Sequence, residues 1–513
     1  MPLNLPHFVK DEYGFWTLLV DGAPYMGLSG ELKNSSFSSL IYMKDRVWPN
    51  LRPLGLDTLV IPIAWENIEP EEGRFDFELL DGLIGQARSE GVRLVLLWFG
   101  LWKNGESMYT PFWVKRDTNR FWRARSRGGV ISDTVSPLCE AAVEADARAF
   151  SRMMSHLRDF DSNKHTVILM QIENEIGMLD SERDFSDTAN RAFTLALPPE
   201  LVKLYGVHGT WSEVLSEDAP EVFMAWHYAR AVEKIAAAGK AEYPLPMYVN
   251  AWLEQFPQRP GAHPSGGPIA RLIPVWRLGA PSIDAYAPDI YVSDFTGVCD
   301  AYTEHDIPLI IPEARRDPVT ASNVFYAFGH YRAVLFAPFG IDEFMENSLP
   351  MPDRPLVESL NIDWAAFNCA GTAPYLIRSY QVLHGAMPLL MKHRTNLRAF
   401  IKKNNHERGT ILSMSQCDLM ITYQDEQHSK PGSAGIVIEI MPNEFLLMGC
   451  RFEVRPLPKR NSGKQITQLR LSEGELAGGE WAPGRILNGD ERNDMRAGDM
   501  AAVFRLSLCL IDI

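Results

Sequence analysis

The sequence predicts an α/β fold: a (β/α)8 TIM barrel followed by a C-terminal antiparallel β-sandwich domain. Three observations lead to this prediction. Apolar runs of strand length alternate with amphipathic helical stretches between residues 24 and 340. Eight such units are present, which is the number that closes a parallel barrel. Beyond residue 400 the pattern changes to short alternating segments separated by Gly, Pro, Asn and Asp clusters, as in antiparallel sheets.

The eight predicted strands are near-continuous apolar runs, which indicates a parallel sheet covered on both faces. Helix candidates lie between them, such as residues 76–91 and 221–240, with apolar residues three or four positions apart. A doubly wound open sheet is the competing fold, but it predicts a glycine-rich phosphate loop after the first strand, and LSGELKNSS is not such a loop. The predicted strands are 24–32, 57–65, 92–100, 166–174, 244–252, 283–291, 308–314 and 333–340.

The two ends of the chain predict β structure of another kind. DEYGFWTLLVDGAPY predicts a hairpin with an Asp-Gly turn that closes the barrel floor. GIVIEIM and EFLLMGCRFEV predict strands of the C-terminal domain. We therefore assign residues 1–395 to the barrel with its hairpin and residues 396–513 to the sandwich.

Composition excludes several classes of partner. The formal charge of −15 argues against nucleic acid and anionic membranes, because binding phosphate needs clustered positive charge. The six cysteines are scattered without a CxxC pair, which predicts free, mostly buried thiols. The first residues show no basic and apolar leader, and no run reaches the roughly 18 apolar residues of a membrane span. We expect a cytoplasmic protein; secretion of a processed form and a homo-oligomer both stay open.

Polar residues follow the predicted strands, at the end of a barrel where catalytic groups collect. The fourth strand ends in Asn174 and Glu175, and the seventh ends in Glu313. Other strand ends supply Trp65, Trp98, Trp102, Asn250, Trp252, Asp289 and Tyr291. Two carboxylates on separate strands above aromatic rings are what glycoside cleavage requires: one protonates the departing oxygen, and the other attacks the anomeric carbon or activates water.

No metal motif competes with this interpretation. The sequence has no HExxH and no Asp/His cluster, and His227 lies on a helix candidate as a packed or surface residue. No GxSxG nucleophile motif is present either. We expect neither a metal nor a cofactor.

Structural explanations stand beside the catalytic one. Arg315 and Arg316 are close enough in sequence to neutralise Glu313. A tryptophan such as Trp65 or Trp98, taken alone, is more often a core residue than a sugar platform. Two buried carboxylates on different strands without partners are harder to explain by packing, because burying them costs several kcal/mol.

QIENEIG resembles the acid/base motif of glycoside hydrolase family 35, the β-galactosidases of a clan of retaining barrels. LSGELKNSS, LVLLWFGLWKNG, YTPFWVK and FAPFGIDEF are similar to the mainly bacterial branch of that family, and PNEFLLMGCRFEV resembles its small C-terminal β domain. The resemblance implies that Glu175 is the general acid/base, Glu313 the nucleophile, Asn174 a contact of the sugar 2-hydroxyl and Tyr291 a hydrogen-bond donor to Glu313. The resemblance also implies that Glu173 orients the neighbouring site residues without a direct role in cleavage.

Asn104, its neighbour Lys103 and Trp252 are further candidates for sugar contacts. The sequence departs from the family in two places. Pro62-Ile63-Ala64-Trp65 stands where better-known members have Tyr-Val-Pro-Trp, and FGLWKNG stands where they have GPYICAEW. The predicted function is a retaining, exo-acting β-glycosidase, in the first place a β-galactosidase, whose substrate is a β-galactoside or a related oligosaccharide.

Three alternatives follow from the same residues: a β-glycosidase for another sugar, a transglycosylase, and a non-catalytic carbohydrate-binding protein. The long segment 177–220 after the fourth strand exceeds usual βα loops and is expected to form one wall of the pocket. Within it, we expect Arg183 and Asp184 to form a structural pair. A deep pocket with such a wall favours removal of one terminal sugar.

Overall fold

The computed structural model describes residues 5–254, 258–346, 351–359, 362–427, 429–460, 462–493 and 495–512. A three-stranded antiparallel sheet comes first, formed by β1 (His7–Lys10), β2 (Trp16–Val20) and β3 (Ala23–Tyr25). The turn between β2 and β3 has positive φ at both Asp21 (53°) and Gly22 (78°), as a two-residue hairpin turn requires. Asp21 then hydrogen-bonds His165 and Arg93, both at 2.6 Å, beside the amino-terminal ends of barrel strands. The predicted hairpin therefore does cover the barrel floor.

Eight parallel strands form the closed barrel. They are β4 (Gly27–Glu31), β5 (Thr58–Ala64), β6 (Arg93–Lys103), β9 (Val167–Asn174), β10 (Met247–Trp252), β11 (Ala285–Ile290), β12 (Ile310–Ala314) and β13 (Leu335–Pro338). Two further strands, β7 (Arg123–Arg125) and β8 (Ile131–Val135), lie between β6 and β9 in the sequence and form a small antiparallel pair outside the barrel. β13 pairs with β4 through Leu335 and Gly27, which closes the circle. Every predicted strand run contains or overlaps one of these strands, with β6 extending three residues beyond its run, so the barrel prediction is confirmed.

Helices cover the outside of the barrel. In the described ranges, the α-helices of five or more residues are α1 (Glu78–Glu90), α2 (Phe112–Arg116), α3 (Glu140–Asp161), α4 (Asp187–Phe193), α5 (Pro199–Tyr205), α6 (Trp211–Leu215), α7 (Ala219–Glu242), α8 (Ile273–Gly279), α9 (Phe295–Thr303), α10 (Thr320–Tyr326), α11 (Arg354–Ser359) and α12 (Ala373–Lys392). Helix α1 illustrates the pattern, because Leu80, Leu83, Ile84 and Ala87 form its buried face. Among the helices of the described ranges, none combines the length and apolar character that a membrane crossing needs.

The C-terminal region consists of two antiparallel sheets. The larger has the order β14-β17-β18-β22-β20-β21, with β14 (Leu397–Ile401), β17 (Ala434–Met441), β18 (Glu444–Cys450), β20 (Lys464–Ala477), β21 (Glu480–Ile486) and β22 (Ala502–Asp512); the smaller contains β15 (Gly409–Ser413), β16 (Cys417–Tyr423) and β19 (Phe452–Pro458). Buried side chains from both sheets, such as Leu419 and Leu447, share one apolar core. The predicted sandwich is confirmed, whereas its division from the barrel at residue 396 stays a prediction.

Helix α12 packs closely on the C-terminal sheet. A Cβ at Gly385 would lie 2.0 Å from the carbonyl oxygen of Leu476 in β20, so only glycine permits this approach. Arg378 on the same helix pairs with Glu475 at 2.7 Å. All six cysteines are free thiols and all but Cys509 are buried, as predicted.

Candidate active site

Three carboxylates from three strands meet at the carboxyl end of the barrel. Glu175 follows β9, Asp289 lies in β11 and Glu313 lies in β12. One oxygen of each lies within 4.8 Å of the others, and all three residues are buried. The structure thus brings together Glu175 and Glu313, which are distant in sequence.

Strand register accounts for this convergence. Trp252 of β10 is the register partner of Asp289, and Asp289 is the partner of Glu313. Paired residues of parallel strands point to the same side of a sheet. Asp289 and Glu313 are therefore neighbours on the inside of the barrel, and Trp252 lies beside them with a partly exposed side chain.

Asn250 connects the members of this cluster. Its amide nitrogen donates to Asp289 at 2.8 Å, to the side chain of Asn174 at 3.2 Å and, more weakly, to Glu313 at 3.4 Å. Its amide oxygen accepts from the backbone N–H of Glu175 at 2.9 Å and from Gln171 at 3.0 Å. The sequence placed Asn250 at a strand end but did not predict that it would join both catalytic candidates.

Glu313 has a specific set of partners. The Tyr291 hydroxyl donates to it at 2.7 Å, as the family resemblance implied. The two arginines that follow it pair with other groups: Arg315 with Asp317 and Asp363, and Arg316 with Glu343. Both arginines lie beyond the end of β12 and are engaged by these other carboxylates, so the structural explanation of Glu313 as an arginine partner is wrong.

The environments of the two glutamates differ in a way that separates their protonation. Burial, and then the negative charge of Glu313, raise the pKa of Glu175 to about 8. Burial also raises the pKa of Glu313, but the positive charge of Lys103 and the hydrogen bond from Tyr291 oppose that rise. Lys103 opposes the rise at both groups, but only Glu313 receives the Tyr291 hydrogen bond, so of these two glutamates Glu175 is the one whose protonated form is favoured.

Glu173 and Asp146 shape the strand next to the cluster. Between Trp98 and Lys103, β6 has an irregular register against β9, and its backbone bulges. Glu173, which has a positive φ of 60°, accepts the bulge's N–H groups of Leu101 (3.0 Å) and Trp102 (2.7 Å). Burial and the adjacent Asp146 on α3 raise the pKa of Glu173 well above its ordinary value. Glu173 therefore orients the strand, as expected, and does not join the cluster.

The bulge delivers Lys103 and Asn104 to the barrel mouth. Lys103 is buried and donates to the side-chain oxygen of Asn104, which also accepts from Asn174 at 3.2 Å. Asn174 in turn accepts from Gln171 at 3.0 Å. Lys103, Asn104 and Asn174 thus lie together beside Glu175, where the sequence placed them.

Trp65 and Trp98, the two tryptophans predicted to contact the sugar ring, do not lie at the carboxylate cluster. Trp98 donates to Asp146 at 2.7 Å and packs against Phe150, so its indole faces the helix layer. Trp65 donates to Glu69 at 2.8 Å and packs edge-on against Trp113. Both side chains are fully buried in the core, which contradicts a role for either as a sugar platform. Trp102 is also buried and donates to the backbone of Val135.

Long loops surround the cluster. The segment after β9 contains α4, α5 and α6, and it bonds to the loop after β10 through Met178 and Ser265. Within it, Arg183 donates to the backbone carbonyl of Asp184, and the Asp184 carboxylate instead accepts from Ser136, Ser186 and the backbone of Arg125. Arg183 and Asp184 are thus paired through the Asp184 backbone carbonyl, whereas the Asp184 carboxylate joins the loops that follow β6 and β9.

His227 is a packing residue, as expected. Its ring lies 4.4 Å from that of Phe223 on α7, and burial lowers its pKa to about 4.

Two features were not predicted. Glu31, the last residue of β4, is fully buried near Glu313 and Lys103, whereas the sequence pattern predicts only that it belongs to a strand. In addition, Glu175, Asp289 and Glu313 offer an oxygen ligand set of the kind that hard divalent cations take, assembled from three strands without a sequence motif. A cation there would occupy both catalytic candidates.

Comparisons with known proteins agree with the barrel fold. Residues 50–217 match the family model Glyco_hydro_42, described as beta-galactosidase, and residues 376–497 match DUF5597, a domain of unknown function. A curated beta-galactosidase of Xanthomonas manihotis is 29% identical over 164 residues, which are 31% of this chain and 25% of that protein. The chain thus spans about a quarter of the length of this relative. Glu175 lies inside the segment that matches the Glyco_hydro_42 model, and Glu313 lies outside it.

Solved structures share the fold at low identity. The beta-galactosidase of Bacillus circulans sp. alkalophilus has a TM-score of 0.51 and 10% identity, over 94% of this chain and 99% of that one. The beta-galactosidase of Marinomonas ef1 has a TM-score of 0.46 and 13% identity, over 71% and 60%. The matches support a glycoside hydrolase family of barrel enzymes, with family 42 indicated in place of the predicted family 35.

Proposed function

We propose that this protein is a retaining, exo-acting β-glycosidase that removes a terminal β-linked sugar, in the first place galactose. The proposal rests on the short distance between Glu175 and Glu313: one carboxylate oxygen of each lies within 4.8 Å of the other. Retaining glycosidases hold their two carboxyl groups about 5–5.5 Å apart, whereas inverting enzymes need about 6.5–9.5 Å to admit a water molecule. The distance supports double displacement.

In the first step, a Glu313 oxygen forms a bond to the anomeric carbon while the glycosidic C–O bond breaks. Glu175, which holds a proton near neutrality, gives that proton to the departing oxygen. In the second step, Glu175 removes a proton from water, and the water oxygen displaces Glu313 from the anomeric carbon. Tyr291 and Asn250 hold Glu313 in position through hydrogen bonds of 2.7 and 3.4 Å.

The loops support cleavage at a chain end. The segment after β9 and the loop after β10 bond to each other, and Asp184 ties both to the segment around β7 and β8. Such walls favour a pocket for one sugar over an open cleft. The family 35 motifs around Glu175 and the match to the family 42 model both support a β-galactoside as substrate. A different β-sugar is the alternative, favoured by Pro62, which stands where the better-known members of family 35 carry the tyrosine that contacts galactose.

The test is hydrolysis of a panel of 4-nitrophenyl β-glycosides by four proteins. Wild type should cleave the galactoside fastest. Glu313→Gln should lose turnover by at least about 10⁴-fold, because no covalent intermediate forms. Glu175→Gln should still release nitrophenol in a first burst, since this leaving group needs little protonation, and azide should speed the second step.

The matched control is Glu69→Gln. Glu69 is a buried carboxylate that accepts from Trp65 and Gly73 away from the cluster, so its replacement should leave the activity within a few fold of wild type. Wild-type activity in Glu313→Gln would refute the catalytic assignment. Cleavage of another β-sugar with the same mutational pattern would keep the mechanism and change the substrate. Accumulation of longer oligosaccharides would identify a transglycosylase.

A further inference from the structure

Tyr291, whose hydroxyl donates to Glu313, lies just past the end of its strand. Strand β11 ends at Ile290, so Tyr291 is outside the paired residues of the barrel. Its hydroxyl is at the far end of the side chain, 2.7 Å from Glu313. A small rotation of the ring would carry that hydroxyl out of hydrogen-bond range. The strand alone does not fix the ring, so the groups packed against it decide where the hydroxyl points.

The ring of Phe367 lies almost flat on the ring of Tyr291. The ring centroids are 4.9 Å apart and the planes differ by 16°, which is an offset-stacked pair. Both residues are partly exposed, so the pair lies at the edge of the buried carboxylate cluster. A ring stacked on another cannot tilt out of its own plane without losing that contact. Phe367 therefore restricts the Tyr291 ring in the direction that would remove its hydroxyl from Glu313.

Phe367 ends a short 3-10 helix, Trp364–Phe367, that follows β13 in the sequence. Asp363 caps this helix, because one oxygen of its carboxylate accepts a backbone N–H of the helix at 3.0 Å. The other oxygen accepts from Arg315 at 2.9 Å. Arg315 is buried and comes two residues after Glu313. The helix that carries Phe367 is thus fastened to the segment that carries the candidate nucleophile.

Arg316 adds a second attachment between the same two segments. Its backbone N–H donates to the carbonyl oxygen of Ala366 at 2.6 Å, and its guanidinium lies 3.5 Å from the sulfur of Cys369. Ala366 and Cys369 are buried, and they lie on either side of Phe367 in the sequence. Satisfied polar contacts of this kind make a segment rigid. The two arginines, which do not neutralise Glu313, instead hold the helix whose last ring covers Tyr291.

We propose that Phe367 is a positioning residue, which keeps the Tyr291 hydroxyl on Glu313 and is itself held in place by Arg315 and Arg316. This inference rests on the proposed glycosidase function. It gives the Arg-Arg pair after the nucleophile a role in catalysis without contact with the reacting atoms. Phe367 acts through one hydrogen bond, so its contribution should vanish when that bond is absent.

The experiment is a double-mutant cycle on the nitrophenyl β-glycoside that wild type cleaves fastest. Wild type, Phe367→Leu, Tyr291→Phe and the double variant are compared. In the wild-type background, Phe367→Leu should lower kcat roughly 3- to 10-fold and change KM by less than about twofold. In the Tyr291→Phe background, where no hydroxyl remains to be positioned, it should change kcat by less than about twofold. Phe367→Tyr keeps the ring and should restore kcat to within about twofold of wild type.

The matched control is Phe75→Leu. Phe75 is also a partly exposed ring in a stacked pair, with Phe77 at 6.3 Å and 8°, and it lies beside Arg152 of α3. Its replacement should leave kcat within about twofold of the parent in both backgrounds, because it does not contact Tyr291.

An equal loss of kcat from Phe367→Leu in both backgrounds would show a general structural effect and overturn the proposal. An undiminished kcat of Phe367→Leu in the wild-type background would overturn it as well. If Phe367→Leu does not fold, Phe367→Met takes its place in the cycle and is judged by the same two criteria. If wild type cleaves no glycoside of the panel, the proposed function fails and this inference falls with it; an additive cycle in an active enzyme refutes only the role of Phe367.

Discussion

Replacing Glu313 by Gln should lower the pKa of Glu175. The two side chains offer oxygens within 4.8 Å of each other, and the charge of Glu313 is the second cause of the raised pKa after burial. With an effective dielectric constant of about 20, two charges at 4.8 Å interact by about 3 kcal/mol. That energy corresponds to a fall of roughly two pH units in the pKa of Glu175 from its value of about 8 beside the charged Glu313.

The rest of the rise in the Glu175 pKa comes from burial, which the substitution does not change. Glutamine is neutral, as is the ester that Glu313 forms during catalysis. The pKa of Glu175 should therefore fall by the same amount when the ester forms, which is the stage at which Glu175 changes from acid to base.

The assay is carbon-13 NMR of protein labelled at the glutamate carboxyl carbon, titrated between pH 4 and 10. The resonance of Glu175 is assigned from its absence in Glu175→Gln and in the double variant with Glu313→Gln. Glu69→Gln serves as the control and should leave the midpoint unchanged. An identical midpoint in wild type and Glu313→Gln would show that the two carboxylates do not share one electrostatic environment.

Three further predictions follow. Tyr291→Phe should lower kcat roughly 10- to 100-fold, because Glu313 loses a charge-assisted hydrogen bond; steady-state kinetics on the nitrophenyl galactoside measures it, and an unchanged kcat would remove Tyr291 from the site. Asn174→Ala should cost on the order of 2 to 4 kcal/mol in transition-state stabilisation, by analogy with oxyanion donors, and should affect a 2-deoxy substrate less than the parent. Glu31→Gln should raise thermal stability at pH 8 and leave it unchanged near pH 4. The folded pKa of Glu31 is raised, so wild-type stability falls as pH increases above the unfolded value, by up to about 1.4 kcal/mol per pH unit; parallel pH profiles of Tm would contradict this.

The barrel was predictable because its strands are buried on both faces. The seven residues of β5 and the eight of β9 are buried without exception, and such strands require continuous apolar runs. The same continuity explains the errors on Trp65 and Trp98. When both faces of a strand are apolar, the sequence does not reveal which residues point into the barrel and which point to the helices.

The convergence of Glu175 and Glu313 was predictable because charged residues at the end of an apolar strand have few structural explanations. Glu31 was not predicted as a neighbour of Glu313, because it is the last residue of a short strand and its position depends on the pairing of β4 with β13 that closes the barrel. The partners of Arg315 and Arg316 also depend on tertiary structure: Asp363 and Glu343 come from later loops. Sequence proximity to Glu313 was misleading for that reason.

The central claim is that Glu175 and Glu313 act on one bond with retention of configuration. The most direct test treats the protein with a 2-deoxy-2-fluoro β-galactosyl fluoride and maps the modified peptide by mass spectrometry. We predict that one fluorosugar becomes attached to Glu313 and that Glu313→Gln remains unlabelled. Attachment at Asp289, or no attachment together with an α-configured first product, would contradict the claim.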